Sequence, residues 1–194
     1  MPVSAPDVVK PGVYGAEGDD PVRIAPVVCD VVQVMARKGR GAEVAAALRA
    51  SHGVVLPGPG GAAEGRGVTA LWVQPEGWLV VAPRGGDGVL AGALKAACRE
   101  AGSVVDQSHG RGVVRIAGAR AAWVLAKSCR VDLHPAVFGP GRVVSTQMFH
   151  IGVTLRQVDA VPTYDVIVFS TLFGSFVESL CHAAEETGYV WGPA

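Results

Sequence analysis

Three residues in the middle of the chain have the types that nucleophilic catalysis uses. Asp106, Ser108 and His109 lie in the stretch SVVDQSHGRGVVRIAGARAAWVLAK (103–127). They supply an acid, a hydroxyl and an imidazole, the parts of an orienter, a nucleophile and a base. Such groups act only if their polar atoms converge within hydrogen-bonding reach. On an extended segment, positions 106 and 108 share a face and 109 points away. No strand–turn–helix elbow surrounds Ser108. The stretch therefore reads as a turn in which Asp106 and Ser108 bond to nearby backbone N–H groups.

Other chemically suggestive patterns also have a plainer reading. Gly58, Gly60 and Ala63 have the spacing of a dinucleotide fingerprint, but Pro57 and Pro59 interrupt the loop and no helix pattern opens there. The fingerprint needs a helix N-terminus for the pyrophosphate, so this loop reads as a linker. Arg111, Arg115, Arg120, Lys127 and Arg130 form a basic run with no acid from 107 to 130. Arg111 and Arg115 share a strand face, and Arg120 and Lys127 a helix face. The run is either a surface for an acidic partner or anionic ligand, or a solvated face balanced by Glu178, Glu185 and Glu186; the second is favoured. Trp72 and Trp78 flank a hairpin turn, where aromatic pairs usually stabilise the sheet, with a pterin or flavin stacking platform as the alternative. His134 and His150 stand alone. Cys29, Cys98, Cys129 and Cys181 are scattered without a CxxC pair, which argues against zinc. Cys98 and Cys181 fall within apolar helical stretches and are expected to be buried. No residue earns a catalytic, cofactor-binding or metal-binding role.

The elements that would position these groups alternate between strand and helix patterns. Residues 22–36 are Val-rich and read as a strand or strand pair. Residues 41–53 carry Ala and Leu at helical spacing and end in Gly. TALWVQ and GWLVVAP are joined by Pro75-Glu76-Gly77, a hairpin in which Pro fixes the first turn position and Gly allows a left-handed one. Residues 88–102 form an amphipathic helix. Strands on either side of the Asp-Gln-Ser-His turn follow, with a short helix after Gly118. Residues 143–158 form a second hairpin or long bent strand, 164–170 a strand and 173–188 a closing helix. The order is β-α-β-β-α, then β-β-α-β-β-β-α. It predicts an α+β fold of two ferredoxin-like halves, about 21–102 and 103–190, each an antiparallel sheet covered by helices on one face, after an N-terminal arm at 1–20.

Composition narrows the classes of partner. The 194 residues carry zero net charge, so there is no basic field for nucleic acid. Charged residues make up 18% of the chain, against about 25% in typical domains. A charge-poor surface suits a partner interface, although a chain rich in Ala, Gly and Val has few charges in any case. No apolar run reaches membrane-spanning length and no signal peptide is evident, which predicts a soluble cytoplasmic protein.

Several segments together are specific. DQSH (106–109), RIAGARAAWVLAKSC (115–129), VDLHP (131–135), FGPGRVVSTQMFHIGV (138–153) and YDVIVFSTLFGSFVESL (164–180), with LWVQPEGWLVVAP (71–83), closely resemble the gamma subunit family of heterotetrameric sarcosine oxidase. The resemblance covers about 27 to 187. That family is similar to the folate-binding module of the aminomethyltransferases of the glycine cleavage system. Those enzymes carry Gly-Gly-Val-Ile-Asp-Asp where this chain has Ile151 to Arg156. Gly152 and Val153 agree, while Thr154, Leu155 and Arg156 replace Ile-Asp-Asp. Leucine can neither take a proton nor hold an amine by charge.

The resemblance implies an aminomethyltransferase-like fold without the chemistry. It implies a non-catalytic gamma subunit of a flavoenzyme complex that oxidatively demethylates sarcosine to glycine, within sarcosine catabolism and folate-linked one-carbon metabolism. The partners would be alpha, beta and delta subunits, and FAD, FMN, NAD, folate and zinc would belong to them. The alternatives are a free-standing folate- or pterin-binding protein of the same fold, or the gamma subunit of a sister N-methyl amine demethylase.

Overall fold

The computed structural model of the chain describes residues 9–18 and 20–192. In chain order the elements are β1 (Gly12–Tyr14), β2 (Val22–Pro26), β3 (Cys29–Ala36), α1 (Gly41–His52), β4 (Ala62–Glu64), β5 (Thr69–Gln74), β6 (Gly77–Pro83) and α2 (Val89–Cys98). After them come β7 (Gly102–Asp106), β8 (Arg111–Ala117), α3 (Ala121–Ala126), β9 (Val143–Met148), β10 (Ile151–Asp159), β11 (Thr163–Phe169), α4 (Ser170–Ala184) and β12 (Tyr189–Trp191). They form two compact units, one spanning Val28–Ser108 and the other Met1–Val27 with His109–Ala194.

The first unit is a five-stranded antiparallel sheet in the order β4-β5-β6-β3-β7. Without β4 this is the βαββαβ path of a ferredoxin-like sheet. Alternate strand residues face the helices, as the period of two requires: Val32 and Val34 on β3, Val80 and Trp78 on β6, and Ala70 on β5. Helix α1 meets them with Val44 and Leu48, and α2 with Leu94 and Cys98, each pair one turn apart. Gly53 ends α1 at φ 66°, its N–H donating to the Arg49 carbonyl, a left-handed stop that favours Gly.

The second unit is a seven-stranded sheet in the order β1-β12-β2-β8-β11-β10-β9. All pairings are antiparallel except β12 with β2. Strands β8, β10 and β11 with α3 and α4 repeat the βαββα path. The fourth strand position, beside β8, is filled by β2 from the N-terminal side. Helix α4 presents Phe173, Phe176, Val177, Leu180, Cys181 and Ala184, a single apolar stripe at helical spacing. Gly112 on β8 makes room for this stripe: a Cβ there would come within 2.7 Å of Phe173 Cγ.

Fold class and the order of the longer elements agree with the sequence reading, while two strands, β2 and β7, change halves. The stretch 22–36 is a strand pair whose members join different sheets, and β7 completes the first sheet rather than opening the second. The expected halves, about 21–102 and 103–190, give way to Val28–Ser108 and its two flanks. The arm expected at 1–20 contributes β1, which pairs with β12, while residues 1–8 and 19 of it lie outside the described residues.

Two turns have left-handed residues where sequence did not place them. In the β5–β6 hairpin the positive φ belongs to Glu76, at 56°, and not to Gly77. Gly77 is needed for another reason: a Cβ there would lie 2.5 Å from Gln74 Cγ. The β9–β10 hairpin has a two-residue loop, Phe149-His150, closed by the Met148–Ile151 pair, with φ 49° and 63°. Two successive positive φ values define the primed turn that Asn-Gly favours. For residues with a Cβ this conformation costs about 1–2 kcal/mol each.

Candidate functional site

The Asp-Gln-Ser-His turn is a hydrogen-bonded lock at the end of β7. Asp106 Oδ1 accepts from the Ser108 N–H at 2.9 Å and from the Ser108 hydroxyl at 2.6 Å. The same hydroxyl accepts from the Val31 N–H at 3.1 Å, and the Gln107 N–H donates to the Val31 carbonyl at 2.8 Å. Ser108 thus spends its proton on a neighbouring carboxylate and a lone pair on β3. Its bonds fix where the chain leaves the five-stranded sheet. His109 is exposed.

The basic run separates into individual jobs. Arg111 stacks over the Phe169 ring at 3.9 Å. Arg115 grips Asp165 with both prongs, Nε to Oδ1 at 2.7 Å and Nη2 to Oδ2 at 2.9 Å, across the β8–β11 pair. Arg156 is paired in register with Asp165 from the other side. Arg120 reaches the Asp20 carbonyl at 3.4 Å. Lys127 donates to the Ala183 carbonyl at 2.5 Å and to Glu186 Oε2 at 3.0 Å, with its ammonium over Trp123. The balancing acids are Glu186, which the sequence reading named, and Asp165, which it missed. Asp165 sits inside the run YDVIVF, where a lone acid among buried β residues signals a buried ion pair.

The remaining patterns fall to structure. The Gly58–Ala63 loop leads into β4 and no helix opens there. Trp72 and Trp78 are cross-strand partners. Trp78 is only 8% exposed, lies in the core and donates its Nε1–H to the Pro57 carbonyl at 2.9 Å. Trp123, 46% exposed, carries Lys127 on its face. Cys98 and Cys181 are buried, as expected. Burial pushes the Cys181 thiol up to about 11 against an ordinary 9.0, with Glu185 adding to the rise and Tyr189 opposing it through a hydrogen bond. Burial also raises Tyr189, Cys98 and Cys129. His134 belongs to a turn: its N–H donates to Asp132 Oδ1 at 2.9 Å, and its Nδ1 accepts from the Ala136 N–H at 3.2 Å. Among the described residues, no three His, Cys, Asp or Glu side chains gather where they could hold a metal ion. Leu155 is fully buried in the core beneath α4.

One cleft stands apart. It measures about 490 Å³ and is lined by Lys127, Ser128, Arg130, Gln147, Phe149, His150 and Ser179, all from the seven-stranded unit. The Ser128 hydroxyl is buried without a hydrogen-bond partner, a state that costs about 1–3 kcal/mol. Sequence reading listed Arg130 and His150 separately. Their only common signal was a guanidinium and an imidazole flanking the segments that α3 and the β9–β10 hairpin bring together.

Comparison with known proteins fits this fold. The model of the sarcosine oxidase gamma subunit family matches residues 38–186. The sarcosine oxidase subunit gamma of an Arthrobacter species is 43% identical over 128 residues, which cover 63% of this chain and 61% of that one. The match thus spans about three fifths of the curated relative's length. A chain of the heterotetrameric sarcosine oxidase from Corynebacterium sp. U-96, solved in complex with pyrrole 2-carboxylate, superposes with a TM-score of 0.78 at 30% identity, covering 89% of this chain and 88% of that one. The glycine cleavage system aminomethyltransferase T from Bartonella henselae has a TM-score of 0.59 at 12% identity, covering 88% of this chain and 47% of that one, and shares the fold alone. On the extent of the family match, this chain belongs to the sarcosine oxidase gamma subunit family.

Proposed function

We propose that this chain is the non-catalytic gamma subunit of a heterotetrameric, sarcosine oxidase-type flavoenzyme that oxidatively demethylates sarcosine to glycine. Its partners are alpha, beta and delta subunits, and the FAD, FMN, NAD, folate and zinc of the complex belong to them. The complex works in the cytoplasm. No described helix is long and apolar enough to cross a membrane.

The observation that carries this reading is the 30% identical match over nearly the whole of both chains to a chain of a heterotetrameric sarcosine oxidase. Two features of the chain support it. Leu155 occupies core space where the resemblance puts a catalytic acid in the related enzymes, and a buried leucine has no proton to trade. Phe169 and Leu172, 51% and 41% exposed, stand at the start of α4, and Arg111 stacks on Phe169. An arginine stacked on an exposed aromatic is the kind of pairing that anchors protein interfaces. The chain's work is then packing: it holds flavin-bearing partners in place.

Co-expression of the candidate alpha, beta and delta chains with and without this chain tests the proposal. The expected result is a stable yellow complex only when it is present. A fully flavinylated, fully active complex assembled without it would overturn the reading.

A further inference from the structure

The cleft beside the β9–β10 hairpin gathers several polar groups, some of which the fold itself does not use. Among the described residues, the Arg130 and His150 side chains make no hydrogen bond or ion pair, and both line the cleft with Gln147; Ser179, also in the lining, donates its hydroxyl to the Ser175 carbonyl at 2.9 Å. The Ser128 hydroxyl in its wall is buried and without a partner. Among the described residues no carboxylate lines it, and the nearby Glu186 is held by Lys127. The charge at this surface is therefore positive, and its volume falls within the range of small-molecule sites.

The hairpin supplies an independent observation. Phe149 and His150 both adopt positive φ in a loop that Asn-Gly would fill without strain. Phe149 has a structural reason to be there, because its ring packs edge-on against Phe176 at 5.8 Å. His150 has no equivalent contact with the core. Backbone strain retained at a residue that the fold does not need tends to mark a functional position.

We propose that this cleft binds a small oxyanion, a carboxylate or a phosphate, with the Arg130 guanidinium supplying the positive charge and His150, Gln147 and Ser128 the further hydrogen-bonding groups. A guanidinium suits either anion because its planar fork matches paired oxygens. Lys127, already committed to Glu186 and Trp123, adds only to the local field.

The test is an NMR titration of the full isotope-labelled chain, or of the assembled complex if the chain purifies only with partners. Inorganic phosphate and malonate are the probes, and chloride at equal ionic strength is the control. Saturable shifts at His150 and at the cleft residues are expected with at least one probe, and comparing the two identifies which oxyanion is preferred. Arg130→Ala should weaken binding about tenfold or more. His150→Gly should weaken binding and raise the melting temperature, because glycine accepts the positive φ without strain. Shifts that merely follow ionic strength, or Arg130→Ala and His150→Gly variants that bind as the parent does, would overturn the proposal.

Discussion

The five-stranded and seven-stranded units follow the same ferredoxin-like path around different cores. In Val28–Ser108, α1 and α2 have 12 and 10 residues and cover the sheet together. Their buried core is Val, Leu, Ala and Cys with the Trp78 ring, and the partly buried Trp72 packs against it. In the other unit α4 has 15 residues but α3 only 6. Here Phe138, Tyr164, Phe173, Phe176, Tyr189 and Trp191 fill the core. A sheet covered by two full helices is closed with small side chains. One covered by a long helix and a short one needs rings to reach across the remaining space. Packing density inside proteins is nearly constant, so side-chain volume must replace missing backbone.

If rings substitute for helix in the seven-stranded unit, removing one should be the most damaging change. Phe176→Ala deletes a fully buried ring under α4 and should lower stability by about 3–5 kcal/mol, read from urea unfolding. Gly112→Ala attacks the same arrangement from the sheet side. It pushes a methyl into the Phe173 ring and should cost about 1–3 kcal/mol. A neutral result there would mean that the ring moves freely and the core is not filled as described. In the five-stranded unit the comparable polar device is the Ser108 lock, and Ser108→Ala should cost only about 1 kcal/mol.

Most of the alkaline limb of stability should also belong to the ring-rich unit, although burial raises Cys98 in the other. The Cys181 thiol is raised from 9.0 to about 11, chiefly by burial, and Tyr189 is raised from 10.0 for the same leading reason. Folding thus favours their protonated forms. The Cys181 contribution is fully present below pH 9 and is lost as pH rises through about 11, and that of Tyr189 starts to fall only above pH 10. Urea midpoints measured from pH 7 upward should stay level to pH 9 and then fall. Cys181→Ala should reduce the fall; an unchanged curve would locate the effect elsewhere.

Much of this fold was legible in the sequence because long periodic segments announce themselves. Helices α1, α2 and α4 and the hairpins β5–β6 and β9–β10 follow from apolar spacing and turn residues. The three-residue strands β1, β4 and β12 left no periodic trace, since each exists only by pairing with a neighbour. Sheet membership was equally hidden: β2 and β3 are separated by two residues, Val27 and Val28, yet belong to different sheets. At the site level, the Asp106–Ser108 turn could be inferred because Asx-type turns are local in sequence. The Arg115–Asp165 pair spans 50 positions and depends on the β8–β11 register. The oxyanion cleft was missed for the same reason, since its residues come from three separate segments.

The most direct measurement is turnover per flavin in an assembled complex carrying Ser108→Ala and His109→Ala in this chain. If the chain contributes packing and no chemistry, the complex should assemble with its full flavin content and kcat should match the parent. A loss of a hundredfold or more in kcat, with flavin content and assembly intact, would contradict a non-catalytic role and return the Asp-Gln-Ser-His turn to the active site.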